Sequence, residues 1–359
     1  MQTSSAAALP PNSAARIVED TKMALAITTA VNTSPGERAL DPELMIEMYR
    51  IMLVARAIDD RLWLLNRQGV THFAVPCRGH EAIGVGYATA LRRGHDMLAP
   101  HYRDVSALLT FGMTPAEIFM HALARAGDPG GAGRQMYAHW GQRKNHIVSL
   151  SSPQPNHVLH GVGMALASKM RGEPVVTLIA FGDGGSSKAD VHEGMNFAGI
   201  HGLPCVFICE NNGYSISVPQ RKQMAIADVA MRANGYGFEG VVVDGADPVA
   251  VYRAAQRAAE KARRGDGPTL VEAKCERLYP HTSNDDDTRY RSRDELSAIP
   301  KRDPVPLFAR RLLNERVLDQ GILDRIGLEV AREVDEGQRV ALAAPEPSGE
   351  DVMKHVYGT

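Results

Sequence analysis

The sequence lacks both long apolar runs and an excess of one sign of charge, two features that would place it in a specialised class of protein. Its longest apolar runs, such as VVTLIAF at 175–181, are far shorter than the ~20 residues that a transmembrane helix needs. Neither sign of charge is in excess, because 40 Lys and Arg stand against 42 Asp and Glu, a net charge of −2. The composition therefore gives no argument for a membrane or nucleic-acid partner, and 44% hydrophobic residues are ordinary for a globular protein.

Cysteine is also scarce, with four residues in 359 and no C-x-x-C pair of the kind that forms redox or zinc motifs. The N-terminal stretch MQTSSAAALPPNSAAR lacks the basic start and apolar block of a secretory signal. We expect the cysteines to be buried free thiols, which is consistent with a reducing, cytoplasmic location. They are Cys77, Cys205, Cys209 and Cys275.

Composition divides the chain into three parts. Residues 1–40 are rich in Ala, Ser, Pro and Thr without periodicity, which predicts a flexible N-terminal arm. Asp41 as N-cap and Pro42 at the first helical position predict a helix, and apolar residues recur at helical spacing from Leu44 to Leu65. We expect residues 41–300 to form the main domain, and 301–359 to form a helical extension and tail.

Strand and helix patterns alternate from about residue 156. The continuous apolar, β-branched run at 175–181 predicts a strand covered on both faces, and 204–210 predicts another buried strand. Further strands are predicted at 240–245 and 269–278. Helical patterns precede or separate them, as in HVLHGVGMALASKM, ADVHEGMNFAGIHG and PVAVYRAAQRAAEKARRG. The alternation predicts an α/β fold: a doubly wound, mostly parallel sheet with helices on both faces.

A glycine-rich turn, FGDGGSSKAD at 181–190, follows the first of these strands. It is close to a phosphate-binding loop, but Asp183 would repel a bare phosphate. The next strand ends in Asn211 and Asn212, about thirty residues later. G-D-G alone is also typical of a plain strand-to-helix turn, whereas G-D-G and N-N at two successive strand ends favour a ligand site.

The two strand ends are expected to meet, because one crossover helix joins them and parallel strands end at the same edge of a sheet. An Asp carboxylate, an Asn amide oxygen and a backbone carbonyl are hard oxygen donors that suit Mg²⁺. The Gly184–Ser187 turn can offer N–H groups to phosphate oxygens at a helix start. The pattern therefore predicts a diphosphate bridged to the protein by a metal ion.

This G-D-G…N-N signature is the thiamine diphosphate motif, and the chain from about Leu44 onward resembles the alpha subunit of the decarboxylating component of 2-oxo acid dehydrogenase complexes. The supporting segments are RQGVTHFAVPCRGHEA at 67–82, HYRD at 101–104, GRQMYAHWG at 133–141, HIVSLSSP at 146–153 and RLYPHTSNDDDTRYRS at 277–292. Within the family, GRQM and the last segment are most similar to the branched-chain 2-oxo acid enzymes.

The resemblance implies a role for particular residues. Asp183, Asn212 and the main-chain carbonyl of Tyr214 would hold Mg²⁺. His281 would act near the reacting carbon during acyl transfer to lipoamide, and Phe73 would line the substrate's alkyl pocket with Tyr102 and Ser152. The implied contacts to thiamine diphosphate are Tyr102, Arg103, Ser152, Gln154, Gly182, Asp183, Gly184, Gly185, Ser186, Asn212, Tyr214 and His281.

Four residues at three sites differ from the pattern of some or many relatives. Lys188-Ala189 stands where branched-chain relatives often carry Glu-Gly. Glu210 occupies a position where some relatives have a diphosphate-binding Arg, although Glu is also common there. Gln154 replaces an apolar residue that would support the cofactor.

The resemblance also implies partners. This enzyme class needs a glutamate and a second domain over the cofactor's aminopyrimidine ring, and we expect 359 residues to be too few for both domains and a helical tail. We therefore expect a beta subunit, an α₂β₂ heterotetramer, a lipoyl-bearing acyltransferase component and a small 2-oxo acid substrate.

Three alternatives stay open. GVGMALA at 161–167 could belong to a Rossmann dehydrogenase, but helical rather than strand pattern precedes it. An assembly-only, alpha-like subunit is a second alternative, although the retained site residues argue against it. Within the favoured class, pyruvate or acetoin could replace a branched-chain substrate.

Overall fold

The first helix of the described chain, α1, begins where the sequence predicts. The carboxylate of Asp41 accepts a hydrogen bond from the N–H of Glu43 at 3.1 Å, and Pro42 takes the first position. The helix then runs over Pro42–Arg67. This computed structural model describes residues 39–150, 152–354 and 356, so the predicted arm at 1–40 lies outside the described residues except for its last two.

The centre of the molecule is a five-stranded sheet in which all pairs are parallel, in the order β1-β2-β3-β7-β6. The fold class predicted from the sequence is therefore confirmed. Its strands are β1 (Met97–Ala99), β2 (Thr177–Gly182), β3 (Cys205–Asn211), β6 (Glu239–Asp244) and β7 (Thr269–Lys274).

The central strands bury both faces, because successive side chains point to opposite sides. Leu178 and Ala180 of β2 pack into one hydrophobic cluster, whereas Ile179 and Phe181 pack into another. The first cluster is covered by α1, α2 (Glu81–Thr89), α3 (Val105–Phe111), α4 (Pro115–Ala122) and α7 (Pro248–Arg263). The second is covered by α5 (His157–Arg171) and α6 (Ala189–His201).

The C-terminal helices pack on the main domain. Val305, Phe308 and Val334 belong to the same buried cluster as Met45 and Met48 of α1. The boundary at residue 300 stays a prediction. These helices are α8 (Arg293–Ala298), α9 (Pro304–Asn314) and α10 (Gln320–Ala343).

Several features were not predicted from the sequence, among them α3, α4, one edge strand and a small hairpin. β1 is only three residues long and forms one edge of the sheet. A small antiparallel hairpin of β4 (Tyr214–Ser215) and β5 (Val218–Pro219) follows β3 directly. Within the described part of the chain, no helix has both the length and the apolar character to span a membrane.

Candidate active site

The two motif segments meet at the carboxyl edge of the sheet. β2 and β3 are parallel neighbours whose final residues are in register, with Gly182 beside Glu210. Asp183 and Asn212 follow directly and line one cavity of about 420 Å³. The structure thus brings together the oxygen-bearing groups that the sequence predicted to meet.

Most of the predicted cofactor contacts lie on the wall of this cavity, whose volume is within the range of ligand pockets. It is lined by ten of them: Tyr102, Ser152, Gln154, Gly182, Asp183, Gly184, Gly185, Asn212, Tyr214 and His281. Arg103 and Ser186 are buried and do not line it, and Phe73 lines a second cavity. Their predicted roles remain predictions.

The chemistry of the donor set fits a divalent cation. Asp183 is 1% exposed, and the side-chain donor within reach is the Gln223 amide at 3.3 Å. Burial raises the pKa of Asp183 to about 6, because little compensates its charge. The Asn212 amide oxygen and the β4 backbone of Tyr214 lie on the same wall, which gives hard oxygen donors for Mg²⁺.

The glycine turn makes a cradle beside these oxygen donors. A Cβ on Gly184 would lie 2.4 Å from the Ser215 hydroxyl, so only glycine fits against the β4–β5 hairpin. Ser186 turns inward, where its hydroxyl donates to the Asp183 carbonyl at 2.6 Å. Lys188 is exposed and puts an ammonium group on the cavity wall, which favours an anionic ligand.

Arg103 lies behind His281. One guanidinium nitrogen donates to the Pro76 carbonyl at 2.6 Å, and the other donates to His281 Nδ1 at 2.9 Å and to its carbonyl at 3.0 Å. Burial, and then the positive charges of Arg103 and Arg277, lower the pKa of His281 to about 3. His281 is therefore a neutral imidazole whose proton is on Nε2, ready to donate into the cavity.

A second cavity, of about 190 Å³, adjoins the first. The two share Tyr102, Ser152, Gln154 and His281. His139 and Thr282 contribute polar groups to the rest of its wall, and most of the remaining side chains are apolar, which suits an alkyl group. The apolar side chains include Phe73, Val75, Met136 and Leu150.

Sequence reasoning missed His101, Lys188 and Met136 as wall residues. His101 was recognisable as the first residue of the HYRD segment. Lys188 was noted only as a departure from the family pattern. Met136 ends the GRQM segment, but nothing in its spacing indicates that the loop folds back over a cavity.

Comparisons with known proteins agree with this geometry. A family model described as the dehydrogenase E1 component matches residues 49–350. The 2-oxoisovalerate dehydrogenase subunit alpha of Bacillus subtilis is 47% identical, over 87% of this chain and 94% of its own length. The 3-methyl-2-oxobutanoate dehydrogenase subunit alpha of Mycobacterium tuberculosis is 37% identical, over 89% of this chain and 84% of its own.

A pyruvate dehydrogenase E1 component subunit alpha, from Bacillus cereus, is 35% identical over 89% of this chain and 83% of its own length. Identity is thus higher to the Bacillus subtilis and Mycobacterium tuberculosis subunits than to this pyruvate dehydrogenase subunit. The family match and these identities confirm the resemblance inferred from the motifs. This chain belongs to the dehydrogenase E1 component family, and its class is that of the thiamine diphosphate-dependent 2-oxo acid dehydrogenases.

Proposed function

We propose that the chain is the alpha subunit of a branched-chain 2-oxo acid dehydrogenase, which decarboxylates 2-oxo acids oxidatively and transfers the acyl group to lipoamide. The observation that carries this proposal is the pair of adjoining cavities: an anion-binding cavity with hard oxygen donors and an apolar chamber, with a shared wall. The 47% identity to a 2-oxoisovalerate dehydrogenase subunit supports the branched-chain substrate.

Mg²⁺ would be held by Asp183, Asn212 and the Tyr214 carbonyl, and the diphosphate of the cofactor would lie along Gly184 and Gly185. The low exposure of Asp183, at 1%, supports this assignment, since a buried carboxylate with few donors gains most from a cation. When bound, thiamine diphosphate supplies the electron sink for loss of CO₂.

The chain's own residues would orient the reactants and stabilise charge on them. Because Arg103 donates to His281 Nδ1, the Nε2–H is free to donate a hydrogen bond in the cavity, to an anion or to a reacting oxygen. The Tyr102 ring lies edge-on to His281, with centroids 6.2 Å apart, and helps hold the imidazole in place. Phe73 and Met136 would exclude water from the alkyl side of the substrate.

A beta subunit would complete the site, in an α₂β₂ heterotetramer. Support comes from α5 and α6, which pack together near the glycine turn and carry exposed apolar side chains. These are Leu159, Met164, Phe197 and Ile200. Such side chains are typical of helices that bury further surface against a partner. A lipoyl-bearing acyltransferase would be the acyl acceptor, and the four buried free thiols are consistent with a cytoplasmic location.

The test is to reconstitute the chain with its beta subunit and compare 3-methyl-2-oxobutanoate with pyruvate as substrates. We expect activity only with both subunits, thiamine diphosphate and Mg²⁺ present, and a higher kcat/KM for the branched substrate. Phe73→Ala should reduce that preference by about tenfold, the cost of a lost apolar contact of ~1.4 kcal/mol. Turnover by this chain alone, or a preference for pyruvate, would contradict the proposal.

The matched control is Phe197→Ala, which removes the same side chain from the exposed face of α6, away from both cavities. We expect this change to weaken assembly with the beta subunit while the assembled enzyme keeps its substrate preference. Calorimetry of the complex with thiamine diphosphate and Mg²⁺ separates an enzyme from an assembly-only subunit, which should bind neither.

A further inference from the structure

Three buried side chains meet directly behind the metal end of the first cavity. His80 precedes α2, His101 follows β1, and Glu210 lies near the end of β3. Glu210 Oε2 is 2.7 Å from His80 Nδ1 and 3.1 Å from His101 Nδ1. All three are at most 3% exposed. We call this group the Glu210 cluster.

Hydrogen-bond chemistry fixes the tautomers of both histidines. A carboxylate oxygen only accepts, so each Nδ1 must carry its proton toward Glu210. In a neutral imidazole the opposite nitrogen is then an acceptor. The contact on the other side of His80 agrees with a neutral ring, because Nε2 faces the amide nitrogen of Asn212, which can only donate.

The acceptor nitrogen of His80 meets the predicted metal ligand. His80 Nε2 lies 3.2 Å from Asn212 Nδ2, so the amide nitrogen donates to the imidazole. The amide oxygen therefore points the other way, where it accepts from the Tyr214 N–H at 3.2 Å. Only this oxygen can ligate a hard cation. If the Asn212 amide were rotated by 180°, its oxygen would face the lone pair of His80 Nε2, and two acceptors would repel each other.

The backbone holds His80 rigidly enough for this role. The Glu81 carboxylate accepts from the Gly79 N–H at 2.7 Å and from Arg56 at 2.6 Å. A Cβ on Gly79 would lie 1.8 Å from the Glu276 carbonyl, so the turn before α2 fits closely against the segment that follows β7. His80 thus reaches Asn212 from a fixed position.

We propose that Glu210 and His80 are positioning residues for the metal: the carboxylate fixes the tautomer of His80, and His80 holds the Asn212 amide with its oxygen toward Mg²⁺. His101 completes the arrangement as a second donor to Glu210 and forms part of the cavity wall. The inference deepens the proposed function and rests on it, since it concerns the same metal site.

Two substitutions of one residue separate positioning from packing. His80→Gln can place an amide oxygen near the position of Nε2 and so keep an acceptor for Asn212. His80→Asn keeps a partner for Glu210 near the position of Nδ1 but is too short to reach Asn212. The readout is the Mg²⁺ dissociation constant of the reconstituted complex at saturating thiamine diphosphate, measured by calorimetry.

We expect His80→Asn to weaken Mg²⁺ binding by about 10–100-fold, as for other residues that orient metal ligands, and His80→Gln to bind Mg²⁺ almost as well as wild type. Glu210→Gln should weaken binding like His80→Asn, because a carboxamide can donate to Nδ1 and reverse the tautomer of His80. If the His80→Asn variant does not assemble with the beta subunit, the Mg²⁺ affinity of Glu210→Gln alone tests the inference.

Equal losses in both His80 variants, with lower thermal stability, would assign the cluster to packing and overturn the inference. Unchanged Mg²⁺ affinity in His80→Asn, or in Glu210→Gln, would overturn it as well. A wild-type complex that binds neither Mg²⁺ nor thiamine diphosphate would instead overturn the proposed function, and the inference with it.

Discussion

The two ends of the central sheet each hold a buried carboxylate, and the two are surrounded differently. At the amino end, Asp96 accepts from the N–H groups of Arg92 and Val176 at 2.7 and 3.0 Å, and from both terminal nitrogens of Arg263 at 2.9 and 2.7 Å. At the carboxyl end, Asp183 has the Gln223 amide at 3.3 Å as its side-chain donor. Both residues are at most 1% exposed.

The difference separates a carboxylate that stabilises the fold from one whose surroundings suit a bound cation. A buried carboxylate with a full set of donors holds segments together, as Asp96, directly before β1, holds the residue before β2 and the end of α7. A buried charge with few donors costs free energy, which a bound cation can return. The same residue type thus stabilises the fold at one edge, and at the other it is the residue that we propose as a metal ligand.

The largest effect should come from breaking the amino-end pair. Asp96→Asn leaves the guanidinium of Arg263 largely buried without its counterion, and we expect a loss of about 3–5 kcal/mol in the free energy of unfolding. Urea-induced unfolding measures it. Asp266→Asn is the control, since the Arg264–Asp266 pair is more than half exposed and should contribute less than about 1 kcal/mol. Equal losses of unfolding free energy in Asp96→Asn and Asp266→Asn would contradict the structural role of the buried pair.

The next effect concerns ligand affinity rather than stability. Asp183→Asn should weaken Mg²⁺ binding by more than about 100-fold, or ~3 kcal/mol, because it removes the charged ligand. Without Mg²⁺, the Asp183→Asn variant should be at least as stable as metal-free wild type. Burial raises the pKa of Asp183, so its charge destabilises the metal-free fold, and the substitution removes that charge. Calorimetry and thermal unfolding test the two statements.

Asp244→Asn is the matched control for Asp183. Asp244 ends β6 at the same edge of the sheet, where it pairs with Arg302 and does not line the cavity. Its substitution should leave Mg²⁺ affinity unchanged. A comparable loss in both variants would mean that the edge as a whole, rather than Asp183, determines binding.

The smallest effect is a difference in acid sensitivity. His157 donates from Nε2 to the Ala180 carbonyl of β2 at 2.7 Å, and burial lowers its pKa to about 4. Between pH 6.5 and 4 the unfolded chain binds a proton that the folded chain does not, so stability falls as the pH falls. The loss is about 1.4 kcal/mol per pH unit, or ~2 kcal/mol from pH 6.5 to 5.

His157→Gln should remove this contribution, because the glutamine amide can donate to the same carbonyl without titrating in this range. Unfolding of wild type and variant at pH 7, 6 and 5 measures the difference. The same substitution at the exposed His201 serves as the control. Parallel pH profiles for wild type and His157→Gln would contradict the prediction.

Much of the carboxyl edge could be predicted from the sequence, because the signals there are local. The run at 175–181 has the β-branched composition of a buried strand, and an Asp or Asn directly after a strand must lie at its carboxyl end. One short crossover then places Asp183 and Asn212 together. These steps require only periodicity, strand order and handedness.

The remainder depends on contacts between distant segments. His80 and Glu210 are 130 residues apart, and no spacing rule relates them. β1 is too short to show a pattern, although it brings His101 to the site. Arg103 matched a family motif, but the direction of its guanidinium follows from the fold around Pro76 and His281.

The four buried thiols can report local unfolding, because each becomes reactive only when the structure around it opens. Burial raises the pKa of each, so an alkylating reagent meets almost no thiolate while the surrounding structure is closed. Cys205 and Cys209 lie in the middle strand of the sheet, whereas Cys77 and Cys275 both contact His80: the Cys77 carbonyl accepts from the His80 N–H at 2.9 Å, and the Cys275 sulfur lies 3.8 Å from His80 Nε2. The order in which they become labelled would therefore reveal whether the ligand-binding end opens before the core does.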